Sequence, residues 1–164
     1  MRRAIAALVL LPLLVLTGCG SDSSSSDDEP AAKSGLPKVA GEYGSKPTFT
    51  FEGEPPAALE SEVLREGTGA PVAKGDLLVG DYLGQVWKGS VFDNSYDRKQ
   101  AAGFVIGAGK VIPGWDEVLV GVKAGSRVLM SIPPDKGYGS QGNTQAGIKG
   151  TDTLVFVVDI VGVN

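Results

Sequence analysis

The chain has 164 residues, 42% of them apolar, which is enough for one ordinary domain with tails and too little for two large ones. It holds no histidine and a single cysteine, which excludes Ser-His-Asp and Cys-His nucleophilic schemes, Cys/His zinc sites and intramolecular disulfides. The formal charge is −4 and becomes −6 if residues 1–18 leave with Arg2 and Arg3, a balance that argues against nucleic-acid binding through phosphate neutralisation.

Met1-Arg2-Arg3 is a short positive head, and Ala4 to Leu16 is an apolar run of 13 residues. A bilayer-spanning helix needs about 20 residues, so the run suits the core of a secretory signal over 1–18. It ends in Leu16-Thr17-Gly18-Cys19, which resembles a bacterial lipobox: the thiol is acylated, the peptide is cut before it, and Cys19 becomes the N-terminus. The alternative is a plain signal peptide with an incidental cysteine, but a lone thiol on an exported protein is a liability unless it carries lipid. Residues 19–35 follow as a Ser/Asp-rich tether with nothing apolar to bury. Acyl chains contribute about 0.8 kcal/mol per buried methylene, enough for several to hold a soluble domain on the extracytoplasmic membrane face.

Residues 36–58 carry four prolines and one short alternating piece, Thr48 to Phe51, and read as an extension laying one strand on the domain. The domain proper is expected over 59–164. Its apolar pattern is mostly of period two, at Val63, Leu78-Tyr82, Val128-Met130-Ile132 and Leu154-Phe156-Val158-Ile160, as in short antiparallel strands. One segment differs: Trp115, Val118, Leu119 and Val122 fall at i, i+3, i+4 and i+7, one face of a short helix. Pro113 precedes it, Asp116 and Glu117 favour its dipole, and Gly121 or Gly125 ends it. The fold class is therefore α+β, a curled antiparallel sheet of five to six strands around one short α-helix.

Three motifs follow in order: Val91-Phe92-Asp93-Asn94-Ser95, Val111-Ile112-Pro113-Gly114-Trp115 and Gly137-Tyr138-Gly139. Together they resemble FKBP-type peptidyl-prolyl cis/trans isomerases, over about residues 62–161. The resemblance implies an isomerase without cofactor or metal that acts as a monomer on proline-containing exported polypeptides and takes macrolide immunosuppressants as competing ligands. It also implies an apolar bowl lined by Phe92, Phe104, Val111, Ile148 and Phe156, floored by Trp115 beneath the proline ring. Tyr138 and the backbone N–H of Ile112 would donate to substrate carbonyls, and Asp93 would be held by Arg98 and Tyr82. Each has a plainer reading. Trp115, Tyr82 and Phe156 also suit core packing, Tyr138 an ordinary loop, and Asp93 a turn cap with Asn94 and Ser95.

Two departures matter. Many relatives carry a second pocket aromatic where this chain has Ala102, and the loop Ala146 to Asp152 lacks the usual prolines, which predicts a wider bowl and a looser flap. Gly107-Ala108-Gly109-Lys110 invites comparison with a phosphate loop, but the required earlier glycine falls at Phe104 and the hydroxyl at Val111. Asp22, Asp27, Asp28 and Glu29 lack the glycine and final glutamate of a calcium loop. The rival functions are a non-catalytic chaperone or adhesion lipoprotein holding proline segments, and a surface carrier of small molecules.

Overall fold

Two strands, β1 (Lys38–Ala40) and β2 (Thr48–Thr50), open the fold in the computed structural model, which describes residues 35–164. The signal peptide expected over 1–18, Cys19 and the tether expected after it, as far as residue 34, lie outside the described residues. Where one strand is expected before residue 58, the chain forms a separate antiparallel hairpin, Val39 opposite Phe49. The remaining strands are β3 (Glu60–Arg65), β4 (Leu77–Val86), β5 (Val91–Asn94), β6 (Ala102–Val105), β7 (Arg127–Ile132) and β8 (Leu154–Val163), with the helix α1 (Pro113–Leu119) between β6 and β7. They form one antiparallel sheet in the order β3-β7-β8-β4-β5, and β6 lies end to end with β5 along the same edge of β4. The curled sheet around one helix is the expected α+β architecture.

Helix α1 starts at Pro113, whose fixed φ suits the first helical position, and Ile112 before it is extended at φ −63°, ψ 147°. It stops a turn sooner than the apolar spacing predicts. Val120 is already extended and Gly121 adopts φ +90°, so Val122 lies beyond the helix. Asp116 explains the loop before it: its carboxylate accepts from Gly107 N at 2.6 Å and Gly109 N at 2.8 Å. The N–H groups that resemble a phosphate cradle are occupied by an internal anion.

The inner face of the sheet packs Leu78, Val128, Met130, Val158 and Ile160 around Leu119 and Trp115 of the helix. Strict half-buried alternation is not what forms: all six residues of β7 and the first seven of β8 are buried. The reason is the N-terminal hairpin, whose Val39, Phe49 and neighbouring Phe51 cover Leu129, Val155 and Val157 on the outer face together with Trp87. Phe51 meets Trp87 edge to face with centroids 4.9 Å apart.

Under the hairpin lies a buried ion pair that apolar periodicity does not reveal. Arg127 and Asp159 are paired across β7 and β8, 3% and 0% exposed, with Nε to Oδ1 at 2.6 Å and Nη2 to Oδ2 at 2.7 Å. Burying such a pair is tolerated only when its remaining donors and acceptors find partners. The hairpin turn supplies them: Gly41 O and Ser45 O accept from the guanidinium, and Gly44 N donates to Asp159 Oδ2 at 2.6 Å.

Candidate active site

A cavity of about 220 Å³ opens between α1, the inner face of the sheet and the loops after β6 and β7. Trp115 is its floor. The ring is 3% exposed and meets three others edge to face, Phe104 at 4.8 Å, Phe156 at 5.3 Å and Tyr82 at 5.9 Å between centroids. Such pairs add about 0.5–1.5 kcal/mol each beyond area burial, so the floor is fixed from several sides. Phe92 closes one wall against Phe156, centroids 5.6 Å apart. Its ring faces inward because β5 bulges: Gly84 pairs with Asp93 and Gln85 with Val91, leaving Phe92 as the extra residue. Gly84 beneath them is required, since a Cβ there would lie 2.6 Å from Phe156 and 2.7 Å from Phe92.

Val111 and Ile112 form the rim at the start of α1. The Ile112 N–H makes no hydrogen bond among the described residues, while its carbonyl accepts from Trp115 N at 3.0 Å. Across the opening, Tyr138 is 38% exposed, and its hydroxyl likewise has no partner among the described residues. Gly139 after it adopts φ +64°, a left-handed turn that a side chain would strain. Two unengaged donors therefore flank an apolar floor.

Asp93 sits beside the bowl with both oxygens engaged. Tyr82 donates its hydroxyl to Oδ2, Arg98 Nη1 donates to Oδ1 at 2.7 Å, and Arg98 Nη2 donates to the Tyr82 oxygen at 2.8 Å. Partial burial opposes the Asp93 charge, but the bonds from Tyr82 and Arg98 outweigh it and hold the carboxyl below its usual range. The Tyr82 phenol is pushed up by burial first and by its bond to Asp93 second. The triad keeps the aspartate ionised and the phenol protonated.

Of the expected site residues, Phe92, Phe104, Val111, Ile112, Trp115, Tyr138, Phe156, Tyr82 and Asp93 line this cavity, and Arg98 braces its edge. Ile148 does not. It is 3% exposed and packs into the core, pulled inward by a two-way bridge in which Asn143 N donates to Ile148 O at 2.8 Å and Ile148 N to Asn143 O at 2.9 Å. Lys110 takes a place in the wall that no feature of its local sequence marks. The loop without prolines, expected as a looser flap, is knitted by that bridge and by Lys149 N to Asp152 Oδ2 at 2.8 Å. A second, shallower hollow of about 310 Å³ adjoins the first, sharing Phe92, Asp93 and Tyr138 and adding Asn143, Gln145 and Ala146.

The model of the FKBP-type peptidyl-prolyl cis-trans isomerases matches residues 69–161. The chain belongs to this family. It is 41% identical over 107 residues to an FK506-binding protein 1A of Aspergillus fumigatus, covering 65% of this chain and 95% of the relative. It is 38% identical over 120 residues to an FK506-binding protein of Streptomyces anulatus, covering 72% and 97%. Among solved structures it is similar to AtFKBP13, with TM-score 0.58, 33% identity and coverage of 66% and 94%. It is also similar to FkpA from Escherichia coli, with TM-score 0.59 and 38% identity, over 65% of this chain and 48% of that one. The FKBP-like sheet and helix are thus those of a peptidyl-prolyl cis-trans isomerase. Its chemistry needs no proton transfer: an X-Pro bond isomerises over roughly 18–20 kcal/mol because twisting the C–N bond costs amide resonance.

Proposed function

We propose that the aromatic cavity is where this isomerase twists the X-Pro bond, and that it serves exported polypeptides at the membrane surface, where a lipid on Cys19 tethers it as a monomer. The observation that carries the site assignment is the pairing of a ring-lined floor with two donors unengaged among the described residues, Ile112 N–H and the Tyr138 hydroxyl. The proline ring rests on Trp115 between Phe92, Phe104 and Phe156. A planar amide has a large dipole that water stabilises, and the twisted amide has lost part of it, so withdrawing water disfavours the ground state more than the transition state. Donation from Ile112 N–H and Tyr138 holds the flanking carbonyls while the bond turns. Asp93, ionised and fixed by Tyr82 and Arg98, sets the field beside the amide. Lowering the barrier by about 6–8 kcal/mol corresponds to roughly 10⁴–10⁶ in rate.

FK506-type macrolides, for which the relatives are named, would occupy the same bowl and compete with peptide. Export is supported by the leader and lipobox pattern through Cys19. Two measurements test the proposal. Relaxation of a short Xaa-Pro peptide should be accelerated by the protein and slowed again by FK506; acceleration unaffected by Asp93→Ala, Tyr138→Phe and Trp115→Ala would refute the site. Palmitate labelling and membrane fractionation of cells expressing the chain should follow Cys19 and vanish with Cys19→Ala; a protein that sediments equally without Cys19 refutes the anchor.

A further inference from the structure

The turn that carries Arg98 is held from outside the matched family region, by the N-terminal hairpin. Tyr96, Asp97 and Arg98 form one 3-10 turn, closed by Arg98 N to Ser95 O and Lys99 N to Tyr96 O, each at 3.0 Å. Its three side chains run to three destinations. Arg98 reaches Asp93 and Tyr82 at the cavity edge. Tyr96 donates its hydroxyl to the buried Asp159 at 2.9 Å, the same oxygen that Gly44 N of the hairpin turn engages. Asp97 accepts from Lys46 Nζ through both oxygens, at 2.8 and 2.7 Å.

An exposed arginine–carboxylate pair is weak by itself, because holding two side chains in one geometry costs rotamer entropy. Arg98 and Asp93 are such a pair, their side chains 51% and 44% exposed. In a closed turn, fixing the two neighbouring side chains fixes the backbone from which the third projects. Lys46 does this directly for Asp97, and Gly44 does it at one remove for Tyr96 by bracing Asp159, although both lie before residue 69, where the family match begins. We propose that Lys46 and Tyr96 are positioning residues for the isomerase site: the hairpin clamps the 96–98 turn and so keeps Arg98 on Asp93 and Tyr82. This rests on the assignment of Asp93 to the site above.

The test uses the full chain with Lys46→Ala, Tyr96→Phe, the double variant, Lys46→Arg, Arg98→Ala and Lys38→Ala. Lys38→Ala is the control, because it removes another, more exposed ion pair at the same hairpin, Lys38 to Glu52 at 2.6 Å, in place of the one on the turn. Per folded molecule, the double variant should lose about three- to tenfold in kcat/KM on an Xaa-Pro peptide, the scale of one surface ion pair plus one hydrogen bond. Lys46→Arg should restore most of the Lys46→Ala loss, and Lys38→Ala should stay at the wild-type rate. The guanidinium NMR signals of Arg98 should move towards those of a free arginine in the double variant and remain in place in Lys38→Ala. A slow Arg98→Ala beside a double variant at the wild-type rate, or losses in Lys38→Ala equal to those in Lys46→Ala, overturns the inference alone. Arg98→Ala at the wild-type rate overturns it together with the site assignment.

Discussion

Gly84→Ala should slow the enzyme by reshaping its wall without touching any group that bonds to substrate. A Cβ at Gly84 would lie 2.6 Å from Phe156 Cε1 and 2.7 and 2.8 Å from two Phe92 ring atoms. Carbon atoms prefer about 3.5–4.0 Å, so both rings must withdraw, or the strand must shift, by roughly 1 Å. The half-buried Phe92 can swing away, whereas Phe156, 4% exposed and wedged against Trp115, moves only by pressing on the cavity floor. Overpacking of this size costs about 1–3 kcal/mol of stability. If half of that strain appears as a misplaced wall in the transition state, kcat/KM falls about two- to twelvefold, since about 1.4 kcal/mol is tenfold. Urea unfolding and peptide relaxation should be measured on the same samples beside Gly80→Ala, whose Cβ would meet the Asp159 carbonyl at 2.4 Å, away from the cavity. Gly80→Ala should lose stability and keep its rate per folded molecule. A Gly84→Ala protein that is destabilised yet isomerises at the wild-type rate refutes the coupling of that glycine to the wall.

Tyr138→Phe removes one neutral donor and should cost about two- to tenfold in kcat/KM, whereas Asp93→Ala, which strands Arg98 and Tyr82, should cost about ten- to a hundredfold, both read by peptide relaxation. Trp115→Ala should weaken FK506 or peptide binding more than it changes kcat, measured by calorimetry and saturation kinetics. Asp159→Ala leaves Arg127 buried and unpaired and should cost about 3–5 kcal/mol in urea unfolding, with little loss if water refills the gap and the pair is unimportant. Asp93 has a depressed carboxyl pKa, so its contribution to stability is full above the unfolded value of about 3.9 and is lost as pH falls through the lower folded value. The unfolding midpoint of wild type should therefore fall towards that of Asp93→Asn as acid is added below pH 4; parallel curves would contradict it.

The motifs made the site legible because each couples a side chain to a local backbone device. Pro113 sets the extended Ile112 before a helix, and Gly139 sets the turn that carries Tyr138. The period-two pattern gave β7 and β8, yet it could not reveal that both their faces are covered, because Phe49 and Phe51 lie a hundred residues away from Val155 and Val157 in sequence. The helix reading overran at Val122 because an apolar residue in a bend looks the same as one in a last turn. Ile148 lies outside the cavity for a similar reason: its direction is decided by the bridge to Asn143 five residues earlier, a backbone pairing with no side-chain signature. Arg127 and Asp159 carry no local mark, since a charge buried under a distant hairpin resembles a surface charge until the hairpin is in place.

Asp116 ties Gly107 and Gly109 to the first turn of the helix, immediately before Lys110, Val111 and Ile112. One lip of the cup is thereby preorganised before any peptide arrives. A client need not freeze that stretch on docking, so its affinity is spared the ordering cost of a floppy loop, about 0.5–1.5 kcal/mol for each side chain immobilised. Turnover gains as well, because release leaves nothing to re-form before the next encounter.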